Sequence, residues 1–160
     1  MTKWDIRFLE LASLVSSWSK DPSTQTGAVI VRSDKTVASM GFNGFPRQIE
    51  DTPELLNNRE EKYKRVIHCE LNAIINAREQ LNGYTLYNWP GQSCSRCAVH
   101  VIQAGIIRVV SYWDKDSSFI QRWFEDMKLA EFLYVEAGVK VIYFTPEDIS
   151  LGLTESHSFV

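Results

Sequence analysis

Three times in the second half of this chain a helical pattern runs up to a glycine, and a short apolar strand begins directly after it. The junctions are Asn82-Gly83 before "YTLYNW", Ala104-Gly105 before "IIRVVSYW" and Ala137-Gly138 before "VKVIYF". Glycine just past a last helical turn takes left-handed backbone at little steric cost, so each junction reads as a helix end. The runs that follow are rich in Val, Ile and Tyr and too short to be helices. Strands separated by helices are joined by crossovers and lie parallel, with the helices covering the sheet. That rhythm predicts a layered α/β protein.

The first half supplies the remaining elements. Ile6, Leu9, Leu11, Leu14, Val15 and Trp18 recur at near-helical spacing, predicting a helix over 4–19. "KDPSTQTG" breaks it with Pro22 and Gly27, and "AVIVR" and "TVASMGF" read as a hairpin across "SDK". "NGFPRQIEDTPELLNN" is a long Gly/Pro/Asn-rich connection of the kind that is usually functional or disordered. A helix is then predicted from about residue 60 to 81, with Val66, Ile67, Leu71, Ile74 and Ile75 on its apolar side and Asn82-Gly83 as its cap. The order is α-β-β-α-β-α-β-α-β. At 160 residues, without repeats or linker-like segments, the chain reads as one domain over 1–160, its core about 4–144 and its tail 145–160.

The charge balance narrows the partners. A formal net charge of -3 lacks the basic footprint of a nucleic-acid binder, and "EEKYKR" dilutes its own lysines with glutamates. A small-molecule substrate is the better expectation. The N-terminus lacks a signal-peptide cleavage site and an unbroken apolar span, so no membrane partner is expected. With three cysteines a disulfide framework is not expected, and Cys94 and Cys97 suit metal or redox chemistry in a reducing compartment. The reading is cytoplasmic, or the host cytoplasm for a viral protein.

Chemistry concentrates in "HCELNAI" at 68–74 and "SCSRCA" at 93–98. A lone C-x-x-C is a redox pair, half of a structural zinc site, or chance. A redox pair would follow the first strand of a thioredoxin-like unit, whereas this one follows the third. A structural zinc site normally needs four ligands, but His68, Cys94 and Cys97 make three and leave the open position of a catalytic zinc. Glu70, two residues past His68, is then placed to reach a water in that position. The spacing H-x-E followed by C-x-x-C is a signature of zinc nucleobase deaminases, with the glutamate as acid and base and not as ligand. Both cysteines open a predicted helix, where free N–H groups favour thiolates.

The blocks "KDPSTQTGAVIV", "GFNGFPRQIED", "HCELNAI" and "CSRCAVHVIQAGIIRVV" together resemble, in sequence and in order, the deoxycytidylate (dCMP) deaminase family. The resemblance implies the cytidine deaminase fold, an α/β/α sandwich on a mixed five-stranded sheet. It implies one Zn²⁺ per chain on His68, Cys94 and Cys97, with Glu70 carrying protons while water attacks C4 of cytosine, so that dCMP becomes dUMP. It places Asn43 on the pyrimidine edge and Ser23 and Thr24 near the sugar or phosphate. It also implies an effector loop at Gly41, Asn43, Gly44, Phe45 and Arg47 that answers to dCTP and dTTP. A triphosphate effector would bring Mg²⁺, and allosteric members assemble as hexamers, so a homo-oligomer is expected. Arg47 and Lys20 are the cations the sequence offers for a 5′-phosphate.

Two departures bear on substrate identity. Cys69 stands where the family usually has alanine, and Ser93 where it usually has proline, with Pro90 earlier in "YNWPGQSC". Cys69 reads as a packed thiol, His100 as a surface residue, and His157 as a solvated residue of the tail. Trp113, Trp123 and Phe124 read as packing residues. Deamination of another cytosine nucleotide is one alternative, and two other functions compete. A polynucleotide deaminase is disfavoured by the acidic charge. A zinc-containing nucleotide-binding protein without catalysis has no need of Glu70.

Overall fold

The computed structural model describes residues 3–150. In chain order the elements are α1 (Lys3–Ser16), β1 (Gly27–Val31), β2 (Val37–Phe42), α2 (Pro53–Asn57), α3 (Arg59–Arg65), α4 (Cys69–Asn76), β3 (Thr85–Trp89), α5 (Ser95–Gln103), β4 (Arg108–Tyr112), α6 (Ser118–Glu136), β5 (Lys140–Phe144) and α7 (Pro146–Ser150). The five strands form one sheet in the order β2-β1-β3-β4-β5. β1 runs antiparallel to both neighbours, while β3, β4 and β5 are parallel. The expected mixed sheet is present, and the parallel part is the segment punctuated by glycines.

Successive strand side chains point to opposite faces, and the core divides accordingly. Val29, Val31, Tyr87, Val110 and Ile142 meet Phe8, Leu9, Ala12 and Val15 of α1. Ala28, Ile30, Leu86 and Val109 meet Ala73 of α4, Ala98 and Val101 of α5, and Ala130 and Tyr134 of α6. Every residue of β1 is buried, as a strand covered on both faces requires. Each buried Val, Leu or Ile contributes about 1.5–3 kcal/mol by leaving water. The result is a three-layer α/β/α sandwich. Among the described residues no helix is long and apolar enough to cross a membrane.

Three expectations are corrected. The helix expected from about 60 to 81 is two helices, α3 and α4, separated by extended residues at Val66 and His68. Between them Ile67 N–H donates to Gly44 O at 2.8 Å and Gly44 N–H to Ile67 O at 3.1 Å, an isolated antiparallel bridge that takes the backbone out of the helix. Asn82-Gly83 caps no helix: α4 ends at Asn76, and Gly83, at φ +82°, makes the turn into β3. Gly105 and Gly138 do take positive φ directly after α5 and α6. The stretch 145–150, expected to be tail, carries α7. Thr145 Oγ1 donates to Asp148 Oδ2 at 2.8 Å and accepts from Asp148 N–H at 3.3 Å, a reciprocal cap. The long connection also holds α2, capped by Thr52 and opened by Pro53. His157 and the rest of the expected tail, 151–160, lie outside the described residues.

Candidate active site and metal centre

The break between α3 and α4 sets up the site. With Ile67 held by Gly44, α4 restarts at Cys69 and His68 becomes its N-cap residue, its side chain free of any capping bond. Cys94 is likewise the N-cap residue of α5, and its Sγ accepts from Cys97 N–H at 3.4 Å. Two helix N-termini therefore converge, and both favour negative charge. His68 Nδ1 lies 3.4 Å from Cys94 Sγ and 3.5 Å from Cys97 Sγ. The three ligand atoms all lie within 4.8 Å of one another.

These distances suit a metal better than hydrogen bonds. A tetrahedral zinc with Zn–S about 2.3 Å and Zn–N about 2.05 Å has an N···S edge of about 3.5 Å. Two sulfurs and one imidazole nitrogen are also the donor set that zinc prefers. His68, Cys94 and Cys97 therefore fit a zinc ion and present three protein ligands to it. The protons on the cluster are unevenly held. Cys97 S–H and His68 lower the Cys94 pKa to about 4 against the effect of burial. The resulting thiolate raises His68 to about 9 and, together with burial, pushes the Cys97 thiol up.

Glu70, on the first turn of α4, is buried and lines the same pocket as His68 and Cys94. Among the described residues it stands outside the three-residue ligand group. Cys69 is buried, and burial pushes its thiol well above the ordinary value. Its S–H donates to Glu70 Oε2 at 3.3 Å, so the thiol is a neutral neighbour of the carboxylate and not a ligand.

Asn43, Ser23 and Thr24 also line the pocket. Asn43 is buried, with Oδ1 accepting from Thr26 N–H at 2.8 Å and Nδ2 donating to Thr24 O at 2.9 Å. Its amide thus ties the end of β2 to the 24–26 loop and keeps one hydrogen and one lone pair for a ligand. Gly41, Gly44, Phe45 and Arg47 are not pocket residues. Gly41 faces the backbone of α4, Gly44 holds the bridge to Ile67, and Arg47 donates to Asn76 Oδ1 at 3.1 Å.

Neither cation expected at a phosphate is in the pocket. Lys20 pairs with Asp51, and Arg47 is turned to Asn76. The pocket cations are Lys62 and Arg122, which the sequence reading did not single out. Lys62 Nζ is 2.9 Å from Asp21 Oδ1 and also contacts Ser23 Oγ; Lys62 is buried, and the side chain of Asp21 is largely covered. Burial alone would raise the Asp21 carboxyl. The Lys62 ammonium and the donors from Ser23 and Thr24 outweigh burial and hold it below the usual range. Trp123, expected only to pack, packs beside Trp113 and also lines the pocket with Tyr63 and Trp89. Trp113 is buried against Tyr143, whereas Phe124 is exposed. His100 is an exposed residue bonded to Arg96 O.

A family model, the cytidine and deoxycytidylate deaminase zinc-binding region, matches residues 2–113. The chain belongs to that family. An uncharacterized deaminase from the luxG 3′ region of Aliivibrio fischeri is 40% identical, over 93% of this chain and 98% of its own length. The deoxycytidylate deaminase of Mus musculus is 36% identical, over 91% of this chain and 82% of its own. A crystal structure of dCMP deaminase from the cyanophage S-TIM5 in apo form shares the fold, with a TM-score of 0.68 over 90% of this chain and 99% of that chain, at 20% identity. Family membership accounts for the metal-ligand cluster. It does not account for the polar contacts that hold the loop "WPGQS" before Cys94. Tyr134 O–H and Asn88 Nδ2 both donate to Ser93 Oγ, at 3.0 and 2.9 Å, and Gln92 Nε2 donates to Met127 O at 2.9 Å.

Proposed function

We propose that this chain is a zinc-dependent hydrolase that converts dCMP to dUMP, supplying deoxyuridylate for thymidylate synthesis. The observation that carries the reading is the meeting of His68 Nδ1 with two cysteine sulfurs at tetrahedral-edge spacing, beside buried Glu70 in one pocket. It is supported by the deoxycytidylate deaminases among the relatives and by the fold shared with cyanophage dCMP deaminase.

In this reading His68, Cys94 and Cys97 hold one zinc, which supplies a water acidified enough to be a nucleophile near neutral pH. Asn43 offers its remaining amide hydrogen and lone pair to the pyrimidine edge, and the 23–24 backbone and hydroxyls lie against the sugar. Glu70 takes a proton from the attacking water and delivers it to N3 as the new C4–O bond forms. It then carries the hydroxyl proton to the departing amine, so C4–N breaks and ammonia leaves. Burial of Glu70 keeps bulk water from competing for those protons. The protein acts as one deaminase domain in the cytoplasm, as a homo-oligomer for which the resemblance favours a hexamer. The 41–47 loop serves dCTP or dTTP, with Mg²⁺ accompanying the triphosphate.

The test is turnover of dCMP by the purified protein, followed by the absorbance change and by dUMP and ammonia, with metal content from emission spectroscopy. About one zinc per chain is expected. Glu70→Gln should retain that zinc while losing about 10²- to 10⁴-fold in kcat. Full activity in Glu70→Gln refutes the proton-carrying role.

A further inference from the structure

We propose that Arg122 binds the 5′-phosphate of the substrate and thereby selects a nucleotide over a nucleoside, an inference that rests on the deamination of dCMP proposed above. Of the two cations in the pocket, Lys62 is already committed. Its buried ammonium pairs with the largely covered side chain of Asp21 and contacts Ser23 Oγ, so its charge is neutralised and its place is to hold the 21–24 loop onto α3. Arg122 is different. It lies on α6, which also carries Phe119, Trp123 and Met127 to the pocket. Among the described residues no ion pair or hydrogen bond holds its guanidinium. The acid one turn on, Asp126, is taken by Ser95 N–H at 2.9 Å and Ser95 O–H at 2.7 Å.

The surroundings of Arg122 suit a dianion. Arg122 and Tyr63, like Ser23 and His68, are exposed members of the pocket wall and lie at the rim of its mouth, and the buried Glu70 and Asn43 form its floor. The Tyr63 ring stands 6.4 Å from that of Trp123. Tyr63 OH accepts from Arg59 Nε at 3.0 Å, which leaves its own hydrogen to donate outward. A base placed at Glu70 puts the 5′ end at this mouth. There it meets a guanidinium fork, a phenol donor and the nearby Arg59 charge. A free guanidinium matches two phosphate oxygens at once.

Steady-state kinetics with dCMP and with deoxycytidine, on wild type, Arg122→Gln and Arg122→Lys, test the assignment. For Arg122→Gln, kcat/KM for dCMP should fall about 10- to 100-fold, mostly through KM, as expected for loss of one charge-assisted contact. The dCMP/deoxycytidine ratio should fall by the same factor, and Arg122→Lys should recover part of it. A general loss of structure would lower both substrates together. Wild type active on dCMP with an unchanged ratio in Arg122→Gln overturns the assignment and leaves the proposed reaction standing. Calorimetric binding of dUMP reads the same contact without turnover. Weaker binding to Arg122→Gln supports the assignment even if the reaction proves to be another, and equal affinities, or no binding to either protein, overturn it.

Discussion

Gly41→Ala separates two explanations of the glycine-bearing loop. A Cβ built on Gly41 would lie 2.4 Å from Ala73 N and 2.6 Å from Cys69 O, both backbone atoms of α4. Backbone cannot rotate aside as a side chain does, so β2 and α4 must separate. Bringing the shorter contact to the 3.4 Å of ordinary van der Waals packing takes about 1 Å. Overpacking of this kind costs about 1–3 kcal/mol. The same 1 Å moves the turn that carries Glu70 and the His68 cap, and such a displacement lowers turnover by about 100-fold. The assay pairs chemical denaturation at saturating zinc with kcat for dCMP. Wild-type stability and turnover in Gly41→Ala would falsify the packing argument. A selective loss of the response to dCTP or dTTP, with stability and basal turnover intact, would instead assign Gly41 to an effector site.

Other expectations follow from the same contacts. Lys62→Met leaves the Asp21 carboxylate buried and unpaired, so urea denaturation should show a loss of about 3–5 kcal/mol. Lys62→Met with Asp21→Asn should lose less than the sum of the two, and a loss below about 1 kcal/mol in Lys62→Met counts against the buried pair. Zinc uptake by metal-stripped protein must displace protons from His68, raised to about 9, and from Cys97, while Cys94, at about 4, has already lost its own. Both protons are present below pH 9, so affinity should fall as pH is lowered from 8 to 5, with about two protons released per zinc, measurable by calorimetry in buffers of different ionisation enthalpy. A release of none contradicts the proton inventory. Cys69→Ala should keep one zinc per chain by emission spectroscopy, because Cys69 lies outside the ligand group, and loss of the metal would make that thiol a ligand.

The parallel half of the fold was legible because its signals are local. Glycine after a helix and a β-branched run after the glycine are enough to place β4 and β5, and the same glycine-then-apolar-run pattern places β3 although Gly83 follows a turn and not a helix. The break between α3 and α4 was not legible, because Val66 and Ile67 continue the helical spacing and neither Gly nor Pro marks the interruption. What breaks the helix is a pair of hydrogen bonds to Gly44, a contact across more than twenty residues of sequence. The metal-ligand cluster could be read despite that, since His and Cys are scarce in the chain, three of each, and their order with Glu70 is a known one. The pocket wall could not. Lys62 sits in a charge-rich helix that reads as solvated, and its pairing with Asp21 is a contact between residues far apart in sequence. Arg122 and Trp123 alternate with packing residues on α6, and only the placement of that helix over Cys94 turns one of its faces toward the pocket. Lys20, near Ser23 and Thr24 in sequence, and Arg47, near Asn43, are the cations the sequence offers, and surface partners claim both.

One helix connects these observations. α6 presents Arg122 at the mouth of the pocket, holds the N-terminus of α5 through Asp126 and Ser95, and accepts from Gln92 at Met127 O. Tyr134, further along it, reaches Ser93. The loop that delivers Cys94 is thus fastened along its length to the same rigid element that carries the candidate phosphate contact. A proline before Cys94 would stiffen that loop by restricting its own backbone alone. The polar contacts that stand in its place stiffen it by attachment to α6, and so fix the distance between the metal end of the pocket and its mouth. If the base sits at Glu70 and the phosphate at Arg122, as proposed above, a pocket built this way selects its ligand by length, because both contacts are met only when the group joining them spans the interval that α6 sets.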